Sequence, residues 1–254
     1  MKCCPPAQAT MIFASLCALT IGPSIGLSRG EGGERSPAMV ATPDGQPPSD
    51  AVIIFDGQNT DALVSRDGKP CRWPIEEGAL VAQHDGGLWT KLRFRDAQVH
   101  AEFATPKQGP GNSGLYFHGL FEMQIFNSYG KKNVDEHSAG ALYGIAAPLV
   151  NAARPPGAWQ SYDIVYNGPR RDSAGKVTQP GTITALLNGV LVQNQVEFRQ
   201  HVSPYTPLLN RPNPYVAAMR AELMKTDIGP LHLQDHEAPV RFRNIWIRRL
   251  DQKK

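Results

Sequence analysis

The sequence predicts an all-β protein, an antiparallel β-sandwich or jelly roll with one short late helix. Three observations predict it. Roughly a dozen short apolar runs, several alternating with period two, are separated by breaks rich in Gly, Pro and Asn. Leu186-Leu187-Asn188-Gly189-Val190-Leu191 places Asn-Gly between apolar runs, the pattern of a two-residue hairpin whose central residues both need positive φ. Only residues 214–225 carry convincing helix signals: Asn213 as cap, Pro214 in the first turn, and Val216, Met219 and Leu223 as an apolar stripe. That helix is expected to pack on the outside or rim of the β domain rather than to bind a partner.

The chain has 254 residues, enough for one large all-β domain or two small ones with a real core. Its 24 Gly and 22 Pro suit turn-rich β structure plus a linker. A net charge of +3 with scattered Lys and Arg offers no stripe for nucleic acid and no charge-driven partner.

Lys2 and the apolar run 11–21 read as an export leader, too short to span a bilayer. Gly26 and Ser28 suit cleavage after Ser28. The expected organisation is a signal peptide at 1–28, a disordered linker at 29–50 and a β domain at 51–250. The mature domain is then periplasmic or extracellular, without stable membrane insertion. Cys17 follows an apolar run, but Ala14-Ser15-Leu16 fits a lipid-attachment box poorly. Cys3, Cys4 and Cys17 fall in the leader, so only Cys71 remains and no intramolecular disulfide can form. Cys71 reads as a small, partly buried apolar residue rather than a nucleophile.

Within the domain, 51–55 is a first strand closed by Asp56-Gly57. Residues 72–74, 79–83 and 88–92 are further short strands. His84-Asp85-Gly86-Gly87 is a tight turn, and its His-Asp pair reads as turn chemistry ahead of a ligand pair. Residues 98–104 turn Val99, Ala101 and Phe103 inward, and His100 and Glu102 outward. Residues 113–118 and 120–126 form a central pair around Gly119. In the polar stretch 127–140, Asp135, Glu136 and His137 are adjacent donors. Neighbouring side chains in extended structure point apart, so a solvated loop is preferred to a metal site. Residues 159–167 and 182–193 are strands with a polar hairpin tip between them. Residues 231–237 and 240–250 complete the fold. The apolar parity shifts between Phe242 and Ile245, which predicts a β-bulge near Arg243-Asn244.

The chemistry concentrates on two of these strands. Phe121, Met123 and Ile125 share one face, and Glu122, Gln124 and Phe126 the other. Leu231 and Leu233 oppose His232, Gln234 and His236 in the same way. If the two strands share a sheet, Glu122, Gln124, Gln234 and His236 meet on its open face beside Tyr116, Phe126 and Trp159. Dense hydrogen bonding beside flat apolar rings suits a sugar, and Glu and His are common general acids and bases. A solvated outer sheet face fits the same spacing equally well. No second carboxylate follows Glu122 on its face, as ordinary glycoside hydrolysis would want. A single base better suits proton abstraction beside a carbonyl. No phosphate-binding Gly loop, Ser elbow or zinc motif is present.

Eight blocks in order carry a resemblance. They are Ile54-Phe55-Asp56-Gly57, Glu77-Gly78-Ala79-Leu80, Gly111-Asn112-Ser113-Gly114-Leu115-Tyr116-Phe117 and Glu122-Met123-Gln124-Ile125. Ala141-Leu142-Tyr143-Gly144, Leu187-Asn188-Gly189, Leu233-Gln234-Asp235-His236 and Phe242-Arg243-Asn244-Ile245 follow. The series resembles the 3-keto-disaccharide hydrolase family. The resemblance implies a concanavalin A-like jelly roll, export in many members, and cleavage of 3-keto-glycosides. There a C3 carbonyl acidifies the C2 proton, a base removes it, the glycosidic oxygen leaves, and water can then add. It also implies a divalent metal ion polarising the ketone in some relatives.

On this reading Glu122 or His236 is the base. Asn112, Tyr116, His118, Gln124, Tyr143 and Gln234 bind the sugar, and Arg243 satisfies backbone carbonyls beside the bulge. The sequence departs from the family where His118 replaces Arg, Asn127 replaces Asp and Glu237 replaces Gly, and a Trp normally found after the first block is missing. The competing function is a carbohydrate-binding module without catalysis.

Overall fold

The computed structural model describes residues 46–83, 85–203, 206–210 and 213–251. The expected leader, the linker up to residue 45 and His84 lie outside the described residues. In chain order the strands are β1 (Val52–Phe55), β2 (Leu63–Ser65), β3 (Ile75–Glu76), β4 (Ala79–Val81), β5 (Leu88–Phe94), β6 (Asp96–Ala104), β7 (Ser113–Phe117) and β8 (Phe121–Ile125). They continue with β9 (Gln160–Asn167), β10 (Arg170–Arg171), β11 (Val177–Gln179), β12 (Gly181–Leu187) and β13 (Val190–Phe198). Helix α1 (Pro214–Thr226), β14 (Gly229–Leu233) and β15 (Arg241–Arg249) complete the order.

All pairings among them are antiparallel. One sheet has eight strands in the order β13-β12-β9-β6-β15-β4-β3, with β1 also against β15. The other has five, ordered β2-β5-β14-β7-β8. Phe117 of the smaller sheet stacks on Tyr166 of the larger at 4.5 Å, and Phe121 tilts onto Phe198 at 4.3 Å. The inward residues of both sheets thus form one core, each large side chain contributing about 1.5–3 kcal/mol by leaving water. The all-β sandwich with one late helix is the architecture the alternation predicts.

Local chemistry explains the elements. Asn188 and Gly189 take φ of +55° and +79° between Leu187 and its partner Val190, as the Asn-Gly signal requires. Asn213 caps α1 by accepting from Val216 N at 2.9 Å, and Val216, Met219 and Leu223 are its buried stripe. The bulge in β15 is present: register shifts between Arg243 and Trp246, with Asn244 at φ +46°.

Some expectations fail in instructive ways. Residues 72–74 form no strand; Trp73 is buried by packing against Phe242, while the short β3 follows it. The polar tip between Asn167 and Gly181 folds into a separate ribbon, β10–β11. The end of the expected linker is already ordered, since Asp50 accepts from Arg248 Nε at 2.7 Å.

Candidate active site

Register across the smaller sheet builds the site. Trp89 faces His232, His232 faces Tyr116, and Tyr116 faces Glu122. Four consecutive strands, β5, β14, β7 and β8, therefore place these side chains in one lateral row. Alternation sends their neighbours Leu88, Leu115, Phe117, Leu231, Leu233, Phe121 and Met123 to the core instead. Tyr116, Glu122 and His232 of this row line a cleft of about 530 Å³, while Trp89 is fully buried in the core; the cleft is within the size range of small-molecule sites.

Glu122 is 7% exposed, and its Oε2 accepts the Tyr116 hydroxyl at 2.5 Å. Burial pushes its carboxyl up to about 8, while the Tyr116 hydrogen bond pulls the other way. Burial first, and the Glu122 charge second, raise the Tyr116 phenol, so it stays a donor. Gln234 Nε2 donates to the Tyr116 oxygen at 3.3 Å. Opposite the carboxyl stands Gly114. A Cβ there would lie 2.7 Å from Glu122 Cγ and also strike Oε1, so the missing side chain is the space that holds the carboxyl.

His232 is the residue that sequence reasoning placed on the right face but did not assign to the site. It is 1% exposed and tilts against Trp89 at 4.2 Å between ring centroids. Burial holds its imidazole down at about 3, assisted by the Arg66 charge, so the ring is neutral at neutral pH. Its Nδ1 has no hydrogen-bond partner among the described residues. The Gly86-Gly87 turn presses on the ring: a Cβ on Gly87 would approach His232 Cε1 to 2.6 Å. Asp235 Oδ2 fastens that turn by accepting from Asp85 N and Gly86 N, at 2.8 and 3.2 Å.

The cleft collects Asn112, Tyr116, Glu122, Tyr143, Gln234 and His236 of the expected set. It adds Arg66, Ser203, Asn210, His232 and Asp235. Arg66 and the segment before α1 left no periodic signal; period-two alternation could have found His232, and Asp235 lies in one of the eight blocks.

His118 and Gln124 do not line the cleft. Alternation after Phe117 would have turned His118 toward Tyr116. Instead β7 ends there, and a φ of +55° swings the ring into the core. There Nε2 meets Phe94 O at 2.9 Å and Nδ1 meets the Tyr166 hydroxyl at 3.2 Å. Burial keeps this imidazole neutral too, down at about 3. Gln124 does share the Glu122 face, but residues 137–141 cover it. Its Nε2 donates to His137 O at 3.3 Å, and its backbone N donates to Ala141 O at 3.0 Å. The same segment caps the exposed edge of β8, where Tyr143 N bonds Glu122 O at 2.9 Å.

His236 reaches the cleft by another route than alternation. β14 stops at Leu233, and residues 234–237 leave the ladder, with Glu237 at φ +62°. His236 is exposed on the rim, and no hydrogen bond joins it to Glu122 among the described residues. Trp159 is elsewhere: Arg243 covers its ring at 4.0 Å. Arg243 donates from Nε to Glu102 Oε2 at 2.6 Å, so a carboxylate and an aromatic face engage it, rather than the backbone carbonyls expected.

The described residues include no cluster of three or more His, Cys, Asp or Glu side chains placed to hold a metal ion. The divalent ion implied by the resemblance therefore finds no such donor set among them. No helix of the described residues is long and apolar enough to cross a membrane.

The profile of the 3-keto-alpha-glucoside-1,2-lyase-like domain matches residues 50–248. No curated protein matches the chain. Among solved structures, a provisionally assigned glycosyl hydrolase from Parabacteroides distasonis is 32% identical, with a TM-score of 0.67 over 80% of this chain and 85% of that one. Two others with the same provisional assignment, from the same organism, share the fold. One is 20% identical with a TM-score of 0.55 over 80% of this chain and 94% of its own. The other is 22% identical with a TM-score of 0.53 over 79% of this chain and 99% of its own.

Proposed function

The chain belongs to the 3-keto-alpha-glucoside-1,2-lyase-like family and carries a carbohydrate-active, glycosyl hydrolase-like domain, and from that premise we propose that it cleaves 3-keto-glycosides by proton abstraction. The observation that carries the reading is Glu122: a buried carboxyl, held by one phenol, that titrates near 8 beside a polar cleft. A base is most effective when its pKa lies near the working pH.

Glu122 takes the C2 proton, made acidic by the C3 ketone. The electron pair left on C2 forms the C1–C2 double bond as the C1–O bond to the leaving sugar breaks. The departing oxygen takes up a proton, and water adding across the double bond then yields the free 3-keto sugar. Tyr116 fixes Glu122 Oε2 and leaves Oε1 facing substrate. His232, Gln234 and Asn112 meet sugar oxygens, and the His232 and Tyr116 rings form part of the cleft wall.

Two other carboxylates line the cleft, Glu237 and Asp235, and Asp235 is already occupied. It accepts three backbone N–H groups, from Asp85, Gly86 and Glu237. That supports a single-base route over two opposed carboxyls. The reading includes export, on the leader-like pattern at 1–28, and N-terminal sequencing of secreted protein checks cleavage after Ser28.

The test is incubation with 3-keto-trehalose or a 3-keto-glucoside. Wild type is expected to release the leaving sugar, and Glu122→Gln to lose about 100- to 10,000-fold in kcat. Retained sugar binding without any wild-type turnover would establish a binding module instead. Turnover unaffected by Glu122→Gln moves the base to another residue, with His236 first in line.

A further inference from the structure

Glu122 stands between two cavities. Behind the cleft lies a chamber of about 10 Å³, room for a single water. Tyr116, Glu122, Tyr143 and Ser203 line both spaces, whereas His201 and Thr206 line only the chamber. Leu120, Phe121 and Ile145 close much of the rest with hydrocarbon.

Thr206 is 2% exposed, and its Oγ1 has no hydrogen-bond partner among the described residues. A buried hydroxyl without a partner is uncommon, and an ordered water is the usual remedy. The residue is held firmly. Its carbonyl accepts from Leu209 N and Asn210 N, and Leu208 N donates to Gly119 O on the hairpin that follows β7. Glu122 lines the same chamber, its Oε2 accepting the Tyr116 hydroxyl. The Thr206 hydroxyl, without a partner among the described residues, and the Glu122 side chain thus line one space of one-water size.

We propose that the chamber holds one ordered water, bonded to Thr206 and Glu122, which carries protons between Glu122 and His201. The carboxyl then exchanges its proton with solvent without opening the substrate cleft. In the step, protonated Glu122 gives its O–H proton to the water while the water passes one of its own to the His201 imidazole. A carboxylate and an imidazolium result, and the imidazolium releases its proton to bulk water. His201 is suited to this step because it is half-buried. Burial, with the Arg220 charge, keeps its imidazole below the usual range and therefore ready to give the proton up. The inference rests on Glu122 serving as the base.

Crystal structures of wild type and Thr206→Val at a resolution that shows waters test the site directly. One water within hydrogen-bond reach of Thr206 Oγ1 and a Glu122 oxygen is expected in wild type and absent in the variant. Kinetics on a 3-keto-glucoside test the relay. Thr206→Val and His201→Ala are each expected to lower kcat about tenfold with KM unchanged, and added imidazole to restore His201→Ala. A dry wild-type chamber, wild-type kcat in both variants, or a His201→Ala loss that imidazole does not restore overturns the relay alone. A wild type that turns over nothing overturns the base reading, and the relay with it.

Discussion

The Tyr116 hydroxyl donates to Glu122 Oε2 at 2.5 Å between directly opposed positions of β7 and β8. Burial raises this carboxyl to about 8 and the phenol draws it down. Tyr116→Phe removes the downward pull, so the carboxyl titrates higher still. For a base, kcat/KM climbs with pH as the carboxyl ionises, so wild type is expected to rise through about 8 and the variant at higher pH. At pH 7 the variant has less of the ionised form and loses about 10- to 100-fold in activity. A pH–rate profile of both proteins measures this. A limb that falls with rising pH would make Glu122 an acid instead.

Gly114 has no positive φ, so space rather than backbone conformation requires a glycine there. An alanine Cβ would stand 2.7 Å from Glu122 Cγ and 2.9 Å from Cδ, so the whole carboxyl end would have to move. Gly114→Ala is therefore expected to displace the carboxyl and break its bond to Tyr116. Stability falls by about 1–3 kcal/mol through overpacking, and kcat falls at least about 100-fold with the displaced base. Urea unfolding and turnover read the two effects separately. Wild-type kinetics in the alanine variant would refute the cradle.

Asp235 holds the turn that buttresses His232. Asp235→Ala removes the side-chain acceptor shared by Asp85 N and Gly86 N, and the imidazole loses its backing. The expected result is a several-fold rise in KM with a smaller change in kcat, because His232 meets sugar oxygens rather than the transferred proton. Stability drops by about 1–2 kcal/mol for the lost charge-assisted bonds. Steady-state kinetics of a folded variant, checked by circular dichroism, measure it. An unchanged KM would leave His232 outside the sugar site.

The sandwich was legible because its signals are local. Period-two alternation, the Asn188-Gly189 turn and the parity slip near Asn244 each reflect backbone geometry a few residues long. The Glu122 face was legible for the same reason. What escaped was anything set by where a strand stops. The resemblance put His118 at the sugar, and nothing local announces the positive φ that turns it away. Extrapolated alternation put His236 in line with His232, although β14 ends between them. Arg66, just past the end of β2, and Thr206, in the long segment between β13 and α1, meet only in the assembled fold.

Stability should depend on pH in a way these buried groups dictate. His118 and His232 titrate near 3 in the folded chain, against 6.5 when free. Between those values the unfolded chain binds more protons, so their contribution grows with pH and is complete above 6.5. Glu122 works in the opposite sense. Its pKa rises from 4.5 to about 8 on folding, so its contribution is full below 4.5 and is lost as pH climbs to 8. Each net proton is worth about 1.4 kcal/mol per pH unit. From 4.5 to 6.5 two histidines outweigh one carboxyl, and above 6.5 the carboxyl acts alone, so wild type should be most stable near pH 6.5. Glu122→Gln removes the alkaline decline and steepens the acid-side rise. Urea midpoints of both proteins from pH 5 to 8.5 would show it. A wild type whose stability stays level above 6.5 does not bury a carboxyl that ionises near 8.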